Sequence, residues 1–405
     1  MGPPRSDNRS MLRGYFDNNA STQVLPEVLQ AMLPALGEGY GNASSIHQRG
    51  QSAKAAVEQA REQVADLIHA RPAEIVFTSG GTEADNLAIF GMAPESGPAH
   101  FITSAIEHHA VLYAFQELER RGHAVTWLPV DAGGRVDPED VRAALRPDTA
   151  LISVMAANNE TGVLQPVGEI AAIARAAGVP FHIDAIQTVG KIPVDVRALD
   201  CDLLSLSGHK IHAPQGVGAL YVRRNLRLRA MLFGGHHERD RRAGSENVPG
   251  ILALGAAAEL AGQALASEPA RLGQLRDRLE TAVREQIPWT EVIGGQHERV
   301  PNTSNICFEY VEGEAMVIAL DLQGFCVSTG AACSSGAIEP SHVLTAMGMP
   351  PDRARSCIRF SLGKLNTAEQ VDDLIAALPQ VVARLRAISP AAQERLRKQS
   401  APANA

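Results

Sequence analysis

Between residues 75 and 222 short apolar runs alternate with helical stretches, and this rhythm constrains the fold of the 405-residue chain more than any other feature. Strand signals fall at 75–77, 100–103, 125–128, 151–155, 181–183, 203–206 and 218–222, each rich in β-branched residues or leucine and bounded by turn residues. Strands that alternate with helices build a mainly parallel sheet with helices on both faces, and ligands bind beyond the carboxyl ends of such strands. Upstream, Ala53, Ala56, Val57, Ala60, Val64, Leu67 and Ile68 recur at helical spacing and predict an amphipathic helix. The alanine- and leucine-rich stretch 251–266 predicts a long helix leading out of the sheet. Beyond it, strands at 304–308 and 357–361 mix with helices near 314–323 and 368–387, as in a smaller α+β domain. The expected organisation is a disordered tail at 1–14, a large domain at 15–265, a small domain at 266–390 and a disordered, polar, alanine-rich tail at 391–405.

Chemistry concentrates where the strand signals end. In Ser207-Gly208-His209-Lys210-Ile211-His212-Ala213-Pro214 a lysine follows an apolar strand among hydroxyl, glycine and imidazole groups. An amine held at a strand end beside phosphate-binding donors is what a Schiff base with pyridoxal phosphate requires. Asp184 closes the strand Phe181-His182-Ile183, 26 residues before Lys210. A carboxylate there can pair with the pyridine nitrogen of that cofactor, although a helix N-cap is the commoner fate of a strand-end aspartate. Thr78-Ser79-Gly80-Gly81-Thr82-Glu83 reads as strand, glycine turn and helix start, which suits a phosphate and is also an ordinary βα connection.

Together these segments resemble the cysteine desulfurases of the aminotransferase-like pyridoxal-phosphate enzymes, over about residues 15–390. The resemblance is carried by Tyr15-Phe16-Asp17-Asn18-Asn19-Ala20, Gly41-Asn42-Ala43-Ser44-Ser45-Ile46-His47, Glu107-His108-His109-Ala110-Val111 and Ala157-Asn158-Asn159-Glu160-Thr161-Gly162. After the lysine come Gly234-Gly235-His236-His237-Glu238-Arg239, Arg242-Ala243-Gly244-Ser245-Glu246-Asn247, Ser328-Thr329-Gly330-Ala331-Ala332-Cys333-Ser334-Ser335-Gly336 and Ile358-Arg359-Phe360-Ser361-Leu362-Gly363. His212-Ala213-Pro214, Arg241-Arg242-Ala243-Gly244 and the late Leu385-Arg386-Ala387-Ile388-Ser389-Pro390 are most similar to the nitrogen-fixation type.

The resemblance implies an aminotransferase-like fold, pyridoxal phosphate as cofactor and L-cysteine as substrate. It makes Lys210 the Schiff-base lysine, Asp184 the partner of the ring nitrogen and Gln187 the donor to the ring's phenolic oxygen, with Asn159 close by. His108 stacks on the ring and relays protons, with His109 as the adjacent alternative. Gly81, Thr82, Ser207 and His209 hold the phosphate, and Ser245 reaches it from a second copy, which implies a homodimer. Arg359 clamps the substrate carboxylate, and Asn18 and Asn19 lie near the substrate. Cys333, in a loop of small residues, takes the sulfur as a persulfide for an iron–sulfur scaffold protein, with nitrogenase maturation as the destination. No structural metal is implied; a transient iron–sulfur cluster would be met at Cys333. Ala43, Ser245, Gln215 and Ser334 depart from the commonest pattern of the family, the two serines by hydroxyl-for-hydroxyl exchange.

Composition removes several other classes. The formal net charge of −8 argues against nucleic-acid binding, and no run of 18 apolar residues spans a membrane. The first residues are polar with scattered arginine and do not read as a secretory signal. The five cysteines show no CxxC spacing, so a disulfide framework or zinc ribbon is not expected and a reducing cytoplasm fits. Paired histidines raise the possibility of metal binding, but no HExxH or Cys/His cluster accompanies them. A non-catalytic sulfur-transfer scaffold is disfavoured by the joint presence of Lys210, Asp184, Arg359 and Cys333. A selenocysteine lyase or an aminotransferase is the remaining rival within the cofactor class.

Overall fold

The computed structural model of the chain describes residues 12–330 and 340–400. Its strands are β1 (Gly14–Tyr15), β2 (Ile75–Thr78), β3 (His100–Ser104), β4 (Ala124–Leu128), β5 (Thr149–Met155), β6 (Phe181–Asp184), β7 (Leu203–Ser207), β8 (Gly218–Val222), β9 (Thr290–Val292), β10 (Thr303–Phe308), β11 (Phe325–Cys326) and β12 (Cys357–Ser361). The seven strand signals between residues 75 and 222 all become strands, within two residues of the expected limits. They form one sheet in the order β2-β8-β7-β6-β5-β3-β4, parallel except where β8 runs against β7 and β2.

Period-two alternation sorts the side chains of this sheet onto two helical layers. Ile75, Phe77, Leu204, Leu206, Ala219 and Tyr221 join the core formed with helices Gln48–Leu67, Val167–Ala177 and Val248–Ala264. Val76, Leu203, Leu220 and Val222 join the core under helices Gly81–Met92 and His109–Arg120. Burial of both faces explains why these strands read as nearly continuous apolar runs.

The helix Val248–Ala264 leads out of the sheet and meets the next helix, Glu268–Gln286, at 75°. Leu272, Leu275, Leu279 and Val283 of the second helix are buried in a separate core that runs to Val382 and takes in Phe16. β10 sits between antiparallel neighbours β12 and β9, and β1 pairs in parallel with β11. The N-terminal segment thus packs on the smaller unit. One expectation fails at the other end: Pro390–Ser400 is helical, not disordered. Proline starts the helix, the Ala392 N–H donates to Ser389 Oγ at 3.4 Å, and Ala392 is buried. A proline-first, serine-capped start outweighs the polar composition.

Candidate active site

A cavity of about 450 Å³ opens beyond the carboxyl ends of β2, β5, β6 and β7. Gly81, Thr82, His108, Asn159, Asp184 and Gln187 line it. Ser207, His209, Lys210, Arg359, Asn19 and the alternative His109 complete the set of expected residues found there. Asn18 and Ser245 do not line it, and Cys333 lies outside the described residues.

The anion end is built by close backbone packing. Gly80, with φ of 152°, turns the chain into helix Gly81–Met92, which starts with no side-chain cap. The first N–H groups of that helix therefore lack partners within it and point an electropositive end at the cavity. β8 begins against this turn: a Cβ on Gly218 would stand 2.7 Å from Gly80 Cα, and one on Gly81 2.2 Å from Ile186 Cδ1. Thr82, Ser207 and His209 surround the same end. Burial, then the charge of Lys210, pushes the His209 imidazole down to about 4, so it stands neutral at physiological pH.

Lys210 Nζ donates to the carbonyls of Asn19 (2.5 Å) and Ala20 (2.8 Å). Burial, reinforced by Arg359, pushes its pKa down to about 8, against the pull of Asp17 and Asp184. Asp184 Oδ1 accepts the Ile186 N–H at 2.9 Å, and burial pushes this carboxyl up to about 6 despite that bond and Lys210. His108 caps helix His109–Arg120 by accepting the Ala110 N–H at Nδ1 (3.2 Å). Burial, followed by Lys210, His109 and His342, pushes it down to about 4, so the neutral ring carries its proton on Nε2. His109 stacks on Tyr113 and lies 4.8 Å from the His342 ring.

Arg359 is presented by β12 and is 4% exposed. Its Nη2 donates to Asp17 Oδ1 at 2.7 Å and its Nη1 to the Asn159 carbonyl at 3.0 Å, while buried Nε finds no acceptor among the described residues. Asn18 is a correction: its Nδ2 donates to the carbonyls of Tyr15 and Ser361 and to Asn366 Oδ1, so its amide fastens the N-terminal segment to the small domain instead of facing substrate. Asn19 lines the cavity with its amide engaged by Asn159, Thr303, Asn302 and Lys191.

Ser245 is exposed on a loop that follows an unusual turn. Glu238, Arg239 and Asp240 have φ of 44°, 57° and 64°, a left-handed run without glycine. It is held at its first residue, where both Glu238 carboxylate oxygens accept from Arg61 at 2.8 Å and one also accepts the Phe77 N–H at 2.9 Å.

Three groups escaped the sequence reading, one of them, Glu107, fully buried. Asp17 is the ion-pair partner of Arg359, and it stands directly before Asn18-Asn19 in a quoted block. Glu107 lies behind Asp184, and Lys191 lies between Asn19 and Gln187. Lys191 is held well below the usual lysine range by burial and by the charges of Lys210 and Arg359.

The profile of the Aminotransferase class-V family matches residues 14–374. The chain belongs to the class-V aminotransferase family. A protein named cysteine desulfurase 2 from Trichormus variabilis is 51% identical over 377 residues, 93% of this chain and 94% of the relative. One named cysteine desulfurase IscS from Methanosarcina thermophila is 48% identical over 93% of each chain. A solved structure titled NifS-like protein superposes with a TM-score of 0.87 at 36% identity, covering 92% of this chain and all of the other. The class-V family uses pyridoxal phosphate, and the cavity fits that group. A capless helix start answers its phosphate, a buried carboxyl its pyridine nitrogen and an amine its aldehyde.

Proposed function

We propose that this class-V enzyme is a desulfurase that converts L-cysteine to L-alanine, with the sulfur passing to Cys333 and on to iron–sulfur cluster assembly for nitrogenase. The observation that carries the reading is the convergence of Lys210, Asp184, His108 and Arg359 on one cavity. Pyridoxal phosphate, when bound, supplies an electron-withdrawing ring that spreads negative charge developing at the substrate's α-carbon. Asp184, as an anion, would pair with the nitrogen of that ring, and Gln187 would donate to its phenolic oxygen. The helix start at Gly81 and Thr82, with Ser207 and His209, holds the phosphate. Arg359 takes the substrate carboxylate at its guanidinium, sharing the cation with Asp17. The amine of Lys210, with a pKa near 8, loses and regains a proton readily at physiological pH, which suits moving the α-proton. His108, neutral with Nε2–H, is placed to pass a proton onward.

Cys333 supplies what an ordinary aminotransferase lacks. Its thiolate attacks the substrate sulfur; an S–S bond forms, the Cβ–S bond breaks, and its electron pair stays on carbon, which is protonated to give alanine. The sulfur is oxidised to the persulfide level and the carbon reduced, so the step needs no outside oxidant. Homologues named IscS favour an iron–sulfur acceptor, and the NifS-like solved structure favours the nitrogen-fixation branch. Homodimerisation is supported by the large exposed apolar side chains Leu36, Tyr40, Ile46 and Phe233, and by Ser245 standing outside its own chain's cavity. The test is release of alanine from cysteine by wild type and Cys333→Ser. Wild type should give alanine and a persulfide mapped to Cys333, and the serine variant almost no alanine. Normal alanine release by Cys333→Ser, or persulfide on Cys326, rejects the reading.

A further inference from the structure

Lys191 lies outside every segment that pointed to the active site, yet it touches two residues of the cavity wall. It follows Gln187 by four positions on the turn after β6, and its Nζ donates to Gln187 Oε1 at 2.6 Å and to Asn19 Oδ1 at 3.1 Å. The Asn19 oxygen is fixed independently, since Asn19 Nδ2 donates to Thr303 Oγ1 (2.8 Å) and to the Asn159 carbonyl (3.1 Å). Asn302 Nδ2 donates to the same Asn19 oxygen at 3.1 Å. Lys191 therefore bridges one immobile oxygen and one on an amide that can rotate.

A side-chain amide is nearly symmetric in shape, so its hydrogen-bond partners decide which end faces a cavity. Lysine offers N–H donors, and even a neutral amine keeps two, one for each oxygen. Gln187 must then turn Oε1 to Lys191, which leaves Nε2 facing the Asn19 carbonyl (3.2 Å) and the cavity. Among the described residues no carboxylate pairs with Lys191, so an ion pair does not account for its half-buried position.

We infer that Lys191 is a positioning residue that locks the Gln187 amide with its N–H end toward the phenolic oxygen of the cofactor. The inference rests on the reading of Gln187 given under the proposed function. With Lys191 removed, only the long Nε2 bond to the Asn19 carbonyl still orders the amide, and a flip that sets its carbonyl against the negatively charged phenolic oxygen is no longer opposed by Lys191.

The test is titration of apoprotein with pyridoxal phosphate, reading the dissociation constant and the visible absorption maximum. Wild type, Lys191→Met, Gln187→Ala and the double variant are compared. Gln187→Ala should weaken binding and shift the maximum. Lys191→Met should shift the maximum the same way and weaken binding about three- to tenfold, the worth of one hydrogen bond. In the Gln187→Ala background Lys191→Met should add nothing, because the two residues act as one unit. Lys191→Gln, which keeps an N–H donor, should restore the wild-type maximum. Should Lys191→Met fail to fold, Lys191→Leu takes its place. An additive double variant, or a Lys191→Met protein with the wild-type maximum, overturns the inference about Lys191 alone. A Gln187→Ala protein that behaves as wild type overturns the reading of Gln187 and the inference with it.

Discussion

Glu107 shows how one side chain can serve an active site by staying neutral. Its Oε1 accepts Ser104 Oγ–H at 2.5 Å and the Met155 N–H at 3.0 Å. Burial nevertheless pushes the carboxyl up to about 8, with Asp184 adding to the rise. At neutral pH Glu107 is thus protonated, which leaves Asp184 free to carry the negative charge a pyridinium needs. The consequence for stability has a definite sign. Between the ordinary value of 4.5 and about 8, the unfolded chain has released this proton and the folded chain has not. The unfolded state binds fewer protons, so stability falls as pH rises through that window. Glu107→Gln removes the titration, and its apoprotein should lose less stability than wild type between pH values of roughly 6 and 8 in denaturant melts. Parallel curves would show that the carboxyl is already ionised. Residues of this kind divide by legibility. Lys210, Asp184 and Arg359 could be read because each stands at a strand end or within a strand in distinctive company. Lys191 could not, because Asn19, which it holds, is 172 residues away in sequence.

At the scale of elements, legibility follows length and period. β2 to β8 were visible because four to seven residues of apolar character mark each of them. β1, β9 and β11, two or three residues long, carry no period and exist through their partners. The helix Gln48–Leu67 reads as an apolar face, yet Arg61 on that face is 4% exposed and holds Glu238 as a bidentate pair. Its guanidinium also lies over Phe77, 4.6 Å from the ring centre. Left-handed φ values at three successive side-chain-bearing residues cost about 1–3 kcal/mol each, and the Arg61 clamp supplies the compensation. Arg61→Met leaves the Glu238 carboxylate buried without its partner and should cost about 3–5 kcal/mol in equilibrium unfolding. Adding Glu238→Gln should recover part of that loss. A single variant as stable as wild type would mean the turn forms without the clamp.

For the whole molecule the order of the motifs along the chain was enough to indicate family and fold, while its assembly rests on the surface. Ile46 is 94% exposed and Phe233 89%, and their loops are joined by a hydrogen bond between Ser44 and His237 at 3.2 Å. On the proposed dimer these are the apolar side chains that a second copy would cover. Past the left-handed turn the chain carries Ser245 outward, away from the cavity that its own Lys210 lines. On the proposed dimer, a serine that serves the neighbouring copy would make every active site a composite of two chains, which genetics would read as complementation. In a mixed dimer of Lys210→Ala and Ser245→Ala chains, one site inherits both lesions and the other neither. That dimer should retain one site with wild-type cofactor affinity and about half of wild-type turnover. Mixed dimers without an intact site would return Ser245 to its own subunit. On that composite, a chain without its lysine and a chain with weakened cofactor binding would together rebuild one intact site simply by meeting.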